Sequence, residues 1–231
     1  MIEYKFTRDY ESKNIYITSD SILPGSIPVN IPSSDKRKKQ YISLFLHKED
    51  IDEAIRFLEY VVDITNKFDI KQYIINQALF LSSLTNFMKC FQTSNACSVI
   101  SETKFLMHYP EHEQNFKKFK NWRNNHFMHD SNRMREGIAF LIIAPEESGQ
   151  ILGGAPSVVW NKVNINYYHE SQILKQLLYS LRDFICSEID KKGNSIIIDY
   201  QSKSREELLS YGEVVLKPAS SDNPELTREI L

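Results

Sequence analysis

The chain has 231 residues, 42% of them hydrophobic and 25% charged, with a formal net charge of −2. That length and apolar content exclude global disorder and allow a core without disulfide or metal staples. The near-neutral charge excludes a uniformly basic nucleic-acid coat, and only 7 glycines and 8 prolines favour a helical fold over a loop-rich β fold. Cys90, Cys97 and Cys186 are odd in number and lack C-x-x-C spacing, so reduced thiols are expected. The first residues contain no apolar run of signal length, and no stretch approaches the roughly 18 apolar residues of a membrane span. The expectation is a cytoplasmic protein with no membrane partner.

In chain order, residues 1–46 form an N-terminal arm with short strands. Lys13–Ser19 has β-branched and aromatic residues at its centre. Leu23–Ser26 and Ile31–Asp35 carry turn residues. The basic run Lys36–Lys39 is expected as a solvated lead-in. From about 48 to 67, Ile51, Ala54, Ile55, Leu58, Val61, Val62 and Thr65 recur at spacings of three and four, which predicts a helix. A second helix is predicted over 70–92, with Ile74, Ile75, Ala78, Leu81, Leu84, Thr85 and Met88 on its buried side.

Residues 93–109 read as a turn and a short helix. Pro110, followed by Glu111 and Glu113, marks the start of a third long helix running to about 131. Residues 137–165 alternate strand-like runs with a polar loop and predict a β-hairpin insertion. A fourth helix at 167–191 buries Ile173, Leu174, Leu177, Leu178, Leu181, Phe184, Ile185 and Ile189, with Gly193 as its terminator. Residues 193–231 form a partly flexible C-terminal extension with one strand-like run at 195–199. The fold class is therefore mainly α, with a bundle over 47–192.

The third helix carries the unusual chemistry. Between 117 and 135 stand Lys117, Lys118, Lys120, Arg123, Arg133 and Arg135, against Asp130 as the sole acid. A local positive face of this kind suits phosphate, and these cations are the candidate RNA-binding residues. Among them lie Arg123, Asn124, His126 and His129. Breaking an RNA backbone requires a proton acceptor or donor near neutral pH, which a histidine supplies. It also requires a fixed donor for phosphoryl charge, which a guanidinium supplies. Arg123, Asn124 and His129 provide those parts without metal or cofactor. On an ideal helix, however, Arg123 and His129 lie about 120° apart. A distorted helix end or a second subunit is needed to bring them together.

Arg123-Asn124, four residues, then His129 resembles the signature of HEPN domains (higher eukaryotes and prokaryotes nucleotide-binding). That resemblance implies a four- or five-helix bundle with the motif late in the third long helix. It implies a homodimer whose two motifs share one composite active site. It further implies a metal-independent endoribonuclease that leaves 2′,3′-cyclic phosphate and 5′-hydroxyl ends. Many members of the family act as toxins or in abortive antiviral defence, which implies an antitoxin or regulatory partner. By the same resemblance, Arg123 stabilises the phosphate, Asn124 supports it and His129 is the acid/base. His126 and Asp130 are supporting candidates that the signature does not fix.

Other readings stand beside this one. A non-catalytic HEPN-like module for RNA or nucleotide binding, or an adaptor, would carry the same motif. Arg123 would serve equally in a surface ion pair and His129 as a helix C-cap. Phe116, Phe119, Trp122 and Phe127 read as core or dimer contacts rather than stacking platforms. A metal site from His126, His129 and Asp130, with His108, His112 or Asp183 recruited, has no supporting spacing, so no metal is expected.

Overall fold

The computed structural model describes residues 5–8, 15–18, 29–92, 97–124, 135–143, 151–162, 165–212 and 214–216. Within these the chain is mainly helical. The elements in order are β1 (Lys5–Arg8), β2 (Ile15–Thr18), α1 (Lys36–Glu59), α2 (Ile70–Lys89) and α3 (Glu102–His108). They continue through a 3-10 turn (Pro110–His112), α4 (Glu113–Trp122), β3 (Arg135–Ile143), β4 (Ile151–Lys162), α5 (Tyr167–Gln201), α6 (Arg205–Leu209) and β5 (Val215–Leu216).

Two compact units draw on non-contiguous segments: Met1–Glu49, Gln92–Ile100 and Asp183–Leu231 in the first, Asp50–Phe91 and Ser101–Arg182 in the second. In the first unit, β2 pairs antiparallel with both β1 and β5. The expected strand within 13–19 is thus present as β2. The run Lys36–Lys39 is the first turn of α1 rather than a lead-in. Arg37 donates to the Asp35 carboxylate, to the Ser195 carbonyl and to the Asp199 carboxylate. Lys38 reaches the Asn30 side chain at 3.1 Å. His47, 3% exposed, donates from Nε2 to the Ser98 carbonyl at 2.8 Å, and its buried Nδ1 has no hydrogen-bond partner among the described residues.

Gly193 does not end α5, and the strand expected at 195–199 is helix. The physical reason is tertiary: Ile196 is 7% exposed, and Gly193 packs beside the Tyr41 ring, whose hydroxyl would lie 3.4 Å from an added Cβ. Gly212, in contrast, has φ 80° and sits in the turn where its carbonyl accepts from Asn30 N–H.

In the second unit the helical stripes of α1 and α5 behave as their periodicity predicts. Ile51, Ala54, Ile55, Leu58 and Val61 are buried, as are Leu174, Leu177, Leu178 and Leu181. α1 stops at Glu59, short of the expected 67, and Val62 and Thr65 face outward. The buried amide of Asn76 explains the stop. It accepts from Val62 N–H at 3.1 Å and donates to the Val62 carbonyl at 2.7 Å, taking the place of helical partners. Asp69 then caps α2 by accepting from the Lys71 and Gln72 amides.

The face of α2 that packs inward also differs from expectation. Asn76, Phe80, Ser83, Leu84, Phe87 and Met88 are buried, whereas Ile74 and Ile75 are 57% and 49% exposed. Phe80 and Phe87 carry larger apolar surfaces than the isoleucines, and their rings join an edge-on aromatic core with Phe91, Phe105, Phe116 and Phe119. β3 and β4 pair antiparallel from Arg135↔Lys162 to Phe140↔Ser157, and again at Ile142↔Leu152. The register breaks where β4 carries Gly153, Gly154 and Pro156, residues that fit a bulge better than a regular ladder.

Candidate functional site

α4 is positioned by its apolar stripe. Phe116 and Phe119 are 1% and 0% exposed, and Phe119 and Trp122 both pack on Phe80. Phe116 and Phe119 are therefore core residues, one of the two roles expected of them. Pro110 opens the preceding 3-10 turn, where its lack of an N–H is harmless. The helix closes at Trp122, and Arg123 and Asn124 continue as a π turn. π turns are rare and concentrate at functional sites.

Arg123 and Asn124 are the two members of the motif within the described residues. Both are half-buried, and Arg123 Nη1 donates to Asn124 Oδ1 at 3.1 Å. The guanidinium and the amide are thus held together by the turn that carries them. His126, Phe127, His129, Asp130 and Arg133 lie outside the described residues, and so does the side chain of Arg135, whose backbone opens β3 opposite Lys162.

The three lysines of α4 have carboxylate neighbours that a count along the motif overlooks. Lys117 pairs with Glu113 one turn earlier. Lys118 pairs with Glu170 and sits over the Trp122 ring, 4.9 Å from its centroid. Lys120 takes both oxygens of Glu102 at 2.7 and 2.8 Å. Glu102 begins α3 and Glu170 lies in the first turn of α5, so neither is visible from the 117–135 window. Their side chains are 33% and 14% exposed, and those of Lys120 and Lys118 are 41% and 31% exposed. The positive face is therefore partly neutralised where it is described.

The other histidines expected as poor metal candidates have local partners. His108 Nδ1 lies 2.9 Å from the Lys104 carbonyl, and His112 Nε2 lies 2.8 Å from Ser180 Oγ. Among the described residues no group of three or more His, Cys, Asp or Glu side chains is arranged to hold a metal ion. The three cysteines are reduced thiols, Cys90 being buried. Among the described residues no helix is long and apolar enough to cross a membrane. Comparison of the chain with known protein families, with curated proteins and with solved structures finds no match.

Proposed function

We propose that this chain is a metal-independent endoribonuclease of HEPN type, acting as a homodimer with a composite active site. The observation that carries the reading is the Arg123–Asn124 pair, joined at 3.1 Å on a π turn at the end of α4. The angular objection to the motif assumes about 100° per residue from Arg123 to His129. Arg123 itself keeps right-handed helical dihedrals, with φ −57° and ψ −46°, so the objection keeps its force and favours a site shared by two copies.

In the proposed reaction His129 takes the proton of a ribose 2′-hydroxyl. The 2′-oxygen bonds to the adjacent phosphorus and the bond to the 5′-oxygen breaks. The departing 5′-oxygen collects a proton from a histidine or from water. Arg123 offers its forked donors to the charge that builds on the phosphoryl oxygens, and Asn124 orients the guanidinium. The products are a 2′,3′-cyclic phosphate and a 5′-hydroxyl. His126 and Asp130 support this chemistry, and Lys117, Lys118, Lys120, Arg133 and Arg135 supply electrostatic attraction for the strand. A role as a toxin or antiviral effector, with an antitoxin or regulatory partner in the cytoplasm, follows from the same resemblance.

The ion pairs of Lys117, Lys118 and Lys120 favour a second reading, a non-catalytic HEPN-like binding or adaptor module with weaker hold on phosphate. One assay separates the two. Wild-type protein and His129→Ala are incubated with labelled single-stranded RNA and transfer RNA in EDTA. The ribonuclease reading expects cyclic-phosphate ends from the wild type and a loss of about 10²–10⁴-fold in the variant. Equal silence from both, with the dimer intact, turns the assignment to the binding module. Cleavage that needs added divalent metal overturns the roles given to His126, His129 and Asp130 and makes them ligands.

A further inference from the structure

A cavity of about 260 Å³ opens in the second unit, between the loop after α1, the first turns of α2 and the entry to α5. Four aromatic side chains line it: Phe68, Tyr73, Tyr167 and Tyr168. None of its described lining residues is charged. Phe68 is 68% exposed at its rim, with its ring 5.9 Å from that of Tyr73, which in turn meets Tyr167 edge-on at 5.3 Å.

The polar groups of this cavity are unequally satisfied. Asn76 has both ends of its amide engaged, with Val62 and Gln72. Asn166 accepts from the His169 amide at 3.0 Å. The Tyr73 hydroxyl is buried and makes no hydrogen bond of ordinary length and angle, although the Tyr167 phenol interacts with it at longer range. It lies near the Tyr167 phenol, which burial first and the Tyr73 neighbour second hold in its protonated form well above the ordinary tyrosine range. A buried hydroxyl without a partner is costly, and such groups in native proteins call for an explanation.

Each feature restricts the occupant. Aromatic walls favour a planar ring. A described lining without charge favours a neutral ligand. The unmet hydroxyl requires a polar atom at the ring edge. The volume is just under the roughly 300–1,000 Å³ of drug-sized sites, which suits one ring system with its substituents left outside. We infer that this cavity binds an uncharged nucleobase, with Tyr73 hydrogen-bonding its edge and Phe68 closing over its face.

The base can come from a free nucleoside or from an unpaired position of an RNA strand. The second source rests on the ribonuclease reading, and aromatic pockets for splayed bases are the common device of single-strand RNA recognition. Tyr167 packs on Phe80 at 5.6 Å and Phe80 on Trp122, so the cavity wall and the motif-bearing helix share one aromatic cluster.

The test uses full-length protein in the His129→Ala background, with Tyr73→Phe and Phe68→Ser added separately. Adenosine, guanosine, cytidine, uridine and an unstructured oligoribonucleotide are titrated calorimetrically, and each variant is melted without ligand. The inference expects Tyr73→Phe to melt at or above its parent, because it removes an unsatisfied group, while binding about 10-fold more weakly. Phe68→Ser is expected to weaken binding without unfolding the chain. Nucleosides that bind in a Tyr73-dependent way identify a free-nucleoside site; an oligoribonucleotide that alone does so identifies a base of the strand. Absence of binding by the parent at millimolar ligand, or affinity unchanged by both substitutions, overturns the inference. Tyr73-dependent nucleoside binding by a protein that never cuts RNA keeps this site and removes the ribonuclease reading. RNA cleavage without such binding does the reverse.

Discussion

Asp35 precedes α1 and is held there by Arg37. The guanidinium donates to both of its oxygens at 3.0 and 2.7 Å, and the Arg37 amide adds a third bond at 2.9 Å. Hydrogen bonding from the Arg37 side chain, above all, lowers the Asp35 pKa from 3.8 to about 2, against the opposing effect of burial. A folded-state value below the unfolded one means that the ionised carboxylate stabilises the fold. This contribution is complete above the unfolded pKa and disappears as the pH falls through the folded one. Melting temperature should therefore drop between about pH 4 and pH 2 in the wild type. Asp35→Asn should start lower and lose less over that interval. Identical slopes for the two proteins in thermal melts from pH 2 to 5 would remove Asp35 as a source of the pH dependence. The same scale explains why two of the lysine ion pairs of α4, those of Lys120 and Lys118, are not visible in the sequence. Their partners Glu102 and Glu170 come from other segments, and Coulomb attraction depends on distance in space.

At the scale of elements, periodicity located helices well wherever one stripe was clearly more apolar than the rest. The buried positions of α1 and α5 were legible for that reason. α2 carries apolar residues on two sides, and counting them could not rank Ile74 and Ile75 below Phe80 and Phe87. Helix ends were harder, because their causes are distant. Asn76 binds Val62, just past the end of α1, from fourteen residues away, and Tyr41 packs against Gly193 across a still larger separation in the chain. Gly193 offers a direct check. Within a helix, glycine costs about 0.8–1.0 kcal/mol relative to alanine. An added Cβ meets Tyr41 Oη at 3.4 Å and Cε2 at 3.5 Å, which is ordinary contact. Gly193→Ala should therefore stabilise the protein by roughly 0.5–1 kcal/mol in urea denaturation. Had the glycine been a left-handed terminator, as its sequence position suggests, the same change would destabilise by a similar amount. A lower urea midpoint for the variant would thus reject the continuous α5.

For the whole molecule, the two compact units alternate along the chain, and α1 and α5 each contribute residues to both. Local pattern reads segments in order and has no access to such assembly. The motif was legible because its chemistry lies in consecutive residues; the cavity was not, because its walls come from 64–76 and 165–168.

The proposed composite site makes its own prediction at this scale. Arg123→Ala and His129→Ala chains, each inactive alone, are co-expressed with different tags, and the mixed dimer is isolated. A site that takes Arg123 from one copy and His129 from the other is whole once in the mixed dimer, because each chain retains what its partner lacks. Cleavage should then return to about half of the wild-type rate per mixed dimer, or roughly a quarter in an unsorted mixture. A site in which both residues serve from the same copy stays broken in every combination, and the mixture should be no more active than either parent. A wild-type protein that light scattering finds monomeric at assay concentration, yet cuts RNA, would also reject the shared cleft. The π turn at Arg123–Asn124 would then have to bring guanidinium and imidazole together within one chain.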